Sequence, residues 1–582
     1  MSEKRGNAKF RGYMNFLALA TDYDGTLASD GQVRESTISA LEQLCQSGRK
    51  LLLVTGRELD QLIEIFPRHD LFDWIVAENG GILYCPRTRE SRLLAEPVPE
   101  SFPAELRRRG VDNLSVGSAI LATWRPHECT VLEVLRDLGL DRQIIFNKDA
   151  VMVLPTGVNK GSGLTAALDE MKLSHHNVVA VGDAENDMPM LAQCECGVAV
   201  ENALDSVKQK ADFVTRADHG AGVEELIDQL LNDDLTARMA TSSRRALLLG
   251  TAKDEPKQKV WLPGLGQSVM VAGPSGSGKS TSVTGLLERM AKSAYQFCIL
   301  DPEGDYDSFE AAINLGNPHY VPSANEVLAL LERMHSAVVN LLGVALDARP
   351  QITSELLRKL EDMRAAKGRP HWFVIDEAHH IFPSDVPAGT SALSEPPKGS
   401  LMITVHPQHV RAEALASVDI LLAVGKEPHE TIREYCRTLG VNEPELQPVA
   451  LERGEVLAWF RRQDGPPFVV AAEPGKAEHK RHIRKYAEGD LGVGSFVFRG
   501  PEGRLHLVAH NLNTFMRMAE GVDDETWCRH LGSGDFSEWF RWIVKDEKLA
   551  DQVRSIEKEN GNPQETRKIV FEAIREKYTA AE

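Results

Sequence analysis

The stretch "TDYDGTLAS", residues 21–29, closes the apolar run "FLALA" and sets two aspartates, Asp22 and Asp24, at its end. Residues two apart on a strand share a face, so both carboxylates are expected to project from one strand end. Gly25 permits a sharp turn directly after them. Close carboxylates repel unless a cation or a shared proton lies between them, so this ending calls for positive charge nearby. Three later segments supply a matching chemistry. "LLLVTGRE" puts Thr55 at the end of a second apolar run, where a hydroxyl and a backbone N–H can hold a phosphoryl oxygen. "PTGVNKGSGL" brings Lys160, a compact point charge for phosphate. "VVAVGDAENDMPML" ends a third run in Asp183, with Asn186 and Asp187 in the turn that follows. The runs alternate with helix-like segments, the pattern of a parallel α/β sheet. Such sheets bind ligands outside the carboxyl ends of their strands, where these four segments converge.

A second phosphate-binding pattern follows. "VMVAGPSGSGKSTSV", residues 269–283, matches G-x-x-x-x-G-K-[ST] in full, after one apolar run and before a helix-like one, which is the context that confirms such a loop. Gly273 opens it, and Gly276 and Gly278 let backbone N–H groups turn inward. Lys279 is placed to reach the β and γ phosphates of ATP, and Ser280, with Thr281 beside it, to reach Mg²⁺. "HWFVIDEAHHIF" sets Asp376 and Glu377 at another strand end, one to hold the metal through water and the other to polarise the attacking water.

Composition narrows the classes. At 582 residues, with 42% of them apolar, the chain is long enough for several domains of about 150 residues each. No run approaches the roughly 18 apolar residues of a membrane helix, and the N-terminus lacks a signal-peptide pattern. The eight cysteines are scattered, and the closest pair, Cys194 and Cys196, fits neither a disulfide framework nor a zinc ribbon; a reduced cytoplasmic setting is expected. A net charge of −19 argues against broad adhesion to nucleic acid or anionic membrane. The basic run "KAEHKRHIRKY" (476–486) is the candidate contact for DNA or RNA. The expected organisation is an α/β domain over 1–232 with a small inserted cap at about 86–152, a polar linker at 233–243, and a second α/β domain over 244–475. A basic connector at 476–507 and a helical module at 508–582 complete it. Trp527, Trp539 and Trp542 recur in that module at roughly helical spacing, as a packing face does.

The N-terminal motifs, in order and intact, resemble the haloacid dehalogenase superfamily. "NGG" (79–81) and "GVAVENALDSVKQKADFVT" (197–215) further resemble its Cof-like and sucrose-phosphatase-like branch, type IIB. The resemblance implies a Rossmann-like core and a phosphatase working through an aspartyl-phosphate. Asp22 would be the nucleophile and Asp24 the general acid and base. Thr55 and Lys160 would hold the phosphoryl group. Asp22, the Asp24 carbonyl and Asp183 would hold Mg²⁺, with Asp187 in support. The cap would choose the leaving group. "CILDPEGDYDSF" (298–309) resembles the HerA/FtsK-type ATPases, which implies a RecA-like fold and ATP hydrolysis between subunits of a ring, most simply a hexamer. In that family the segment "LMITVHPQHV" (401–410) is the sensor strand, making Thr404, His406 and Gln408 candidates, although His406 stands where the family usually has Gln. Arg433, Arg437, Arg453, Arg461 and Arg462 are candidates for the arginine acting in trans. The combined reading is a phosphatase whose activity is controlled by, or whose partner module translocates nucleic acid with, ATP hydrolysis. Two alternatives stand beside it: a polynucleotide kinase–phosphatase acting on nucleic-acid ends, and a sugar-phosphate phosphatase on a nucleotide-switched oligomeric scaffold.

Overall fold

The computed structural model describes residues 14–578 except 148, 240–243, 256, 308, 346, 385–394, 464, 476–485, 487–490, 492–493, 502–504, 545 and 560. The basic run thus lies outside the described residues apart from Tyr486. The chain divides into two units, one running to Leu300 and resuming at Ala311–Pro474, the other made of Asp301–Glu310 and Gly475–Glu582. Among the described residues no helix is long and apolar enough to cross a membrane.

In the first unit, the N-terminal sheet has eight strands. Their order is Phe213–Val214, Cys196–Ala199, Val178–Gly182, Ala18–Thr21, Lys50–Val54, Trp74–Ala77, Ile82–Cys85, Glu90–Leu93. The first six run parallel, and the last two are antiparallel. The central strands are buried along their whole length, as expected of runs covered by helices on both faces. Glu90–Leu93 belongs to this sheet, so the separate cap sheet forms later, from Ser115–Val116, Leu121–Trp124, Ala150–Pro155 and Arg142–Asn147 in that order. Helices Ser101–Arg108 and Glu128–Leu138 close a small apolar core on it through Phe102, Leu106, Val131 and Val134.

The stretch read as a plain linker is partly built into this module. Thr236–Met239 is helical, and Leu235 is fully buried in the N-terminal core. An apolar side chain at that position outweighs the polar character of its neighbours.

The second sheet of this unit has eleven strands. Its centre is parallel, in the order Ile420–Ala423, Val269–Ala272, Ser400–Thr404, Trp372–Ile375, Phe297–Asp301. The strand Ser400–Thr404 therefore separates the strand leading into the Gly-rich loop from the strand ending at Asp376. Antiparallel strands Glu455–Phe460, Phe468–Ala472, Leu247–Ala252 and Lys259–Leu262 extend one side.

In the second unit, a short hairpin of Phe496–Phe498 and Leu507–Ala509 precedes five helices between Leu512 and Tyr578. Its core is aromatic, with Phe498, Phe515, Trp527, Phe536 and Trp539 in mutual ring contact or joined through a shared ring. Trp527 and Trp539 pack inward as a helical face requires, whereas Trp542 is 67% exposed.

One glycine ties the first sheet to its site. Gly80 has φ +104, and a Cβ there would stand 2.2 Å from the carbonyl oxygen of Asn159, the residue that caps the helix beginning at Lys160. Gly80→Ala is therefore expected to destabilise the protein by at least about 1–3 kcal/mol, the usual cost of a side chain in that backbone region, measured by urea unfolding.

Candidate active sites

The strand Ala18–Thr21 pairs in register with its two parallel neighbours, Thr21 opposite Val181 on one side and Leu53 on the other. Asp22, Asp183 and Thr55, each one or two residues further on, consequently emerge at the same end of the sheet. Lys160 arrives as the first residue of helix Lys160–Met171, fixed by a capping box on Asn159. Its buried ammonium donates to Asp22 Oδ1 at 2.5 Å and to Asp187 Oδ1 at 2.6 Å. The other Asp187 oxygen accepts the backbone N–H groups of Asp183 and Ala184, both at 2.9 Å. Thr26 Oγ1 donates to Asp183 Oδ1 at 3.1 Å. Oxygens of Asp22, Asp183 and Asp187 all lie within 4.8 Å of one another.

Burial pushes the Asp22 carboxyl well above its usual range; Lys160 pulls it back, while Asp187 and Asp183 push with the burial. Burial also works against the charge on Lys160, but Asp187 and Asp22 overcome it and hold the ammonium protonated. Three buried carboxylates against one ammonium leave negative charge unbalanced, and an all-oxygen donor set fits a hard divalent cation. Asp22 and Asp183, with Asp187 behind them, are the residues that could hold it.

Asp24 turns elsewhere. Both of its oxygens are gripped by the Arg57 guanidinium, Nε to Oδ2 at 2.7 Å and Nη2 to Oδ1 at 2.6 Å. Thr55 Oγ1 accepts the Arg57 N–H at 3.1 Å, and the backbone N–H of Asn79 bonds the Thr55 carbonyl. Asn79 Oδ1 accepts from Asn186 Nδ2 at 2.9 Å. The neighbouring Glu78 is buried at φ +52, and its carboxylate accepts backbone N–H groups of Ser118, Ala119 and Ile120 at 2.7–3.1 Å. It thereby pins the cap to the core. Sequence reasoning passed over both residues. Arg57 stood two positions after Thr55 in "TGRE", and Glu78 directly before "NGG".

In the second sheet, Lys279 is the buried first residue of helix Lys279–Lys292. Its ammonium rests on the carbonyls of Gly273 at 2.7 Å and Pro274 at 3.0 Å. Gly273 has φ +152, and a Cβ there would meet the carbonyl of Val424 at 2.2 Å. Gly276 and Gly278 also have positive φ, and Ser280 and Thr281 follow in the first turn of the helix. Asp376 is buried, and Glu377 has a left-handed backbone with φ +43. His379 links the two strand ends, with Nδ1 3.4 Å from Glu377 Oε2 and 3.3 Å from Thr404 Oγ1. Burial, reinforced by His380, His409, His406 and Lys279, pulls His379 down to about 4, so its ring is neutral. His406 and Gln408 are exposed at the surface beyond Thr404. Arg433 pairs with Glu430 and Glu443, Arg461 lies over Tyr435 and Trp459, and Arg462 pairs with Asp419; Arg437 and Arg453 are exposed.

A third cluster joins the two sheets behind their sites. His176 Nδ1 is 2.5 Å from Glu195 Oε2, and its Nε2 is 2.8 Å from the carbonyl of Ser293, the residue that ends the helix begun by Lys279. The Tyr295 ring stacks on His176 at 3.8 Å, and its hydroxyl donates to Glu195 at 3.0 Å. Burial, and then Glu195, push that hydroxyl well above its usual range, so it stays a donor. Arg369 donates to the carbonyl of Lys172 at 2.9 Å, and Asn177 to that of Gly368 at 3.1 Å. Arg244 and Arg245 strap the seam by donating to the carbonyls of Ala192, Gln193, Cys194 and Glu195. Burial pushes the Cys194 thiol up to about 12, consistent with an unreactive packing role. The contacts across the seam join residues from 49 to 197 positions apart, and no motif marks them.

A family model described as haloacid dehalogenase-like hydrolase matches residues 19–102 and 121–227. One described as the central domain of helicase HerA matches residues 247–327. The phosphoglycolate phosphatase of Methanothermobacter thermautotrophicus is 31% identical over 224 residues, covering 37% of this chain and 98% of that protein. Phosphoglycolate phosphatase 2 of Saccharolobus solfataricus is 30% identical over 222 residues, covering 38% of this chain and 94% of that one. Among solved structures, a haloacid dehalogenase-like hydrolase from Bacteroides thetaiotaomicron shares 19% identity, covering 37% of this chain and 99% of its own, with a TM-score of 0.33. The two family matches fall on successive stretches, so the chain is a fusion of the two modules.

The seam carries a pH signature. His371 is buried beside His176 and Tyr295 and accepts the Gln296 N–H through Nδ1. Burial, then His176, Arg369 and Arg364, hold it well below the usual histidine value. The unfolded chain therefore binds a proton that the folded chain refuses. The stability tied to neutral His371 is present above about pH 6.5 and is lost as pH falls below it. Melting temperatures compared at pH 7.5 and 5.5 are expected to drop less for His371→Asn than for the wild type.

Proposed function

We propose, because this chain belongs to the haloacid dehalogenase-like hydrolase family, that its N-terminal site cleaves phosphate monoesters through Asp22 under the control of the nucleotide bound by the second module. The chain is a phosphatase and an ATPase. In the phosphatase, Asp22 Oδ1 is taken by Lys160, so Oδ2 is the oxygen that attacks phosphorus as the ester P–O bond breaks. Asp24 gives the departing oxygen its proton and then takes one from the water that hydrolyses the aspartyl-phosphate. Lys160 and Thr55 neutralise and orient the phosphoryl oxygens. Mg²⁺, held by Asp22 and Asp183 with Asp187 in support, would offset the phosphoryl charge when bound. Phosphoglycolate, the substrate named for the relatives, is the first ester to assay.

In the second module Lys279, Ser280 and Asp376 would bind ATP and Mg²⁺, with Glu377 orienting water and His379 relaying its position to Thr404. The insertion of Ser400–Thr404 between the loop strand and the acidic strand supports a RecA-like reading. The HerA likeness supports a homo-oligomeric ring, in which exposed Arg437 or Arg453 would be supplied to a neighbour's site. A cytoplasmic location accords with eight free cysteines in an oxidant-poor setting.

The observation that carries nucleotide control is the polar seam. The helix that starts at the ATP lysine ends on His176, two residues before the start of the strand that delivers Asp183. Lys172, the C-cap of the helix that starts at Lys160, is held by Arg369. Among the described residues, Arg369 Nε and Nη1, His371 Nε2, Asn177 Oδ1 and Gln296 Oε1 at the seam are buried with no protein hydrogen-bond partner.

Asp22→Asn is expected to abolish phosphate release from esters and to leave ATP hydrolysis running. Lys279→Ala should abolish ATP hydrolysis and, in the same preparation, change the phosphatase rate; two wholly independent rates would refute nucleotide control. Chelation with EDTA should stop both activities, and added Mg²⁺ should restore them. Glu195→Gln, which weakens a buried charged contact, is expected to break the correlation between nucleotide state and phosphatase rate. ATP hydrolysis measured with and without duplex DNA tests for nucleic-acid translocation.

A further inference from the structure

The phosphatase site contains a cation that the reaction so far leaves without a task. Two of the three Lys160 donors are committed to Asp22 and Asp187 and the third serves the phosphoryl group, so none is left for a second anionic end of a substrate. Arg57 is differently placed. Its fork lies flat against a carboxylate, that of Asp24, in the two-point geometry by which guanidinium recognises carboxylates. The group it holds is the one that must meet the leaving oxygen. Any substituent on the carbon next to that oxygen therefore lies within reach of the fork.

The base of Arg57 is fixed, and its guanidinium is held through the two bonds to Asp24. The backbone N–H is bonded to Thr55 Oγ1, and the guanidinium lies over the buried Tyr23 ring at 5.6 Å. On the outer side Gly31 lies against the guanidinium, where an added Cβ would be in van der Waals contact with Nη2 at 3.8 Å. The Arg57 and Asp24 side chains are 30% and 43% exposed. Both thus face solvent, in contrast to the sealed Lys160 pair.

Resting on the phosphatase reading above, we propose that Arg57 is the specificity-determining residue of this site and that its substrates are phosphate monoesters of hydroxy acids. The carboxylate on the leaving alcohol replaces the Asp24 carboxylate on the fork. While Arg57 grips Asp24, one lone-pair site on each carboxylate oxygen is occupied and the group is turned toward the fork rather than toward the leaving group. A substrate carboxylate competing for the fork releases Asp24, so the correct leaving group frees its own acid. An ester of similar size with an uncharged end lacks that means.

The test compares phosphoglycolate with 2-hydroxyethyl phosphate, which carries a neutral CH₂OH in place of the carboxylate, on the full chain with Mg²⁺. The wild type is expected to favour phosphoglycolate in kcat/KM by about 10- to 100-fold, the worth of hydrogen bonds to a charged group. Part of the preference should appear in kcat and part in KM. In Arg57→Gln the ratio should collapse toward one, and Arg57→Lys should restore part of it. A wild type without preference, or a ratio that survives in Arg57→Gln, would overturn the assignment while leaving the phosphatase reading intact. A wild type that hydrolyses neither ester would instead overturn the phosphatase reading, and the assignment with it.

Discussion

The buried ammonium of Lys160, set between Asp22 and Asp187, is the contact on which the N-terminal half depends. Burying one carboxylate beside another is costly, and burying a third is more so. The sheet accepts the cost because the helix beginning at Lys160 delivers a cation to the strand ends, and because backbone N–H groups at Asp183 and Ala184 take up the far oxygen of Asp187. Much nearby geometry follows from that delivery. Gly80 is needed so that the helix start can come close, and Gly25 is needed because any Cβ there would strike the Asp183 carboxylate at 2.5 Å. What the ammonium leaves unneutralised is why the oxygens of Asp22, Asp183 and Asp187 could hold a divalent cation.

The second half shows the same economy with a different partner. There the lysine of the phosphate loop folds back on its own loop carbonyls, and the acidic strand end is kept one strand away by Ser400–Thr404. His379 spans that gap. The two halves touch at the backs of these machines rather than at their mouths, through His176, Glu195 and Tyr295. The helix from Lys279 thus ends, through the Ser293 carbonyl, on His176, two residues before the strand leading to Asp183.

The sequence made some of this legible and hid the rest for physical reasons. Strand ends with acidic or hydroxyl residues after four apolar ones, and the Gly-rich loop, were readable because the chemistry is local: a few adjacent residues carry strand, turn and charge together. The convergence of Asp22, Lys160 and Asp187 was readable only through the rule that parallel sheets gather function at one end. Arg57 and Glu78 were missed because each works through a contact made at a distance. Arg57 acts on the residue 33 positions before it, and Glu78 on a loop about 40 positions later. The linker at 233–243 misled because its composition is polar while Leu235 and the flanking arginines do the packing. The seam left no trace, since lone histidines and glutamates in separate segments resemble ordinary surface residues until the fold stacks them.

Arg244 and Arg245 also bear on how the halves can be taken apart. They follow the stretch that sequence alone marks as the place to cut, yet their guanidinium groups hold the carbonyls around Cys194 on the phosphatase side. A phosphatase fragment ended at residue 239 loses both straps and bares a face built to be covered, with Glu195 stripped of its tyrosine. Expression boundaries drawn by composition would therefore yield a sticky half-molecule, and dissection of this protein is better begun by point substitution within the intact chain.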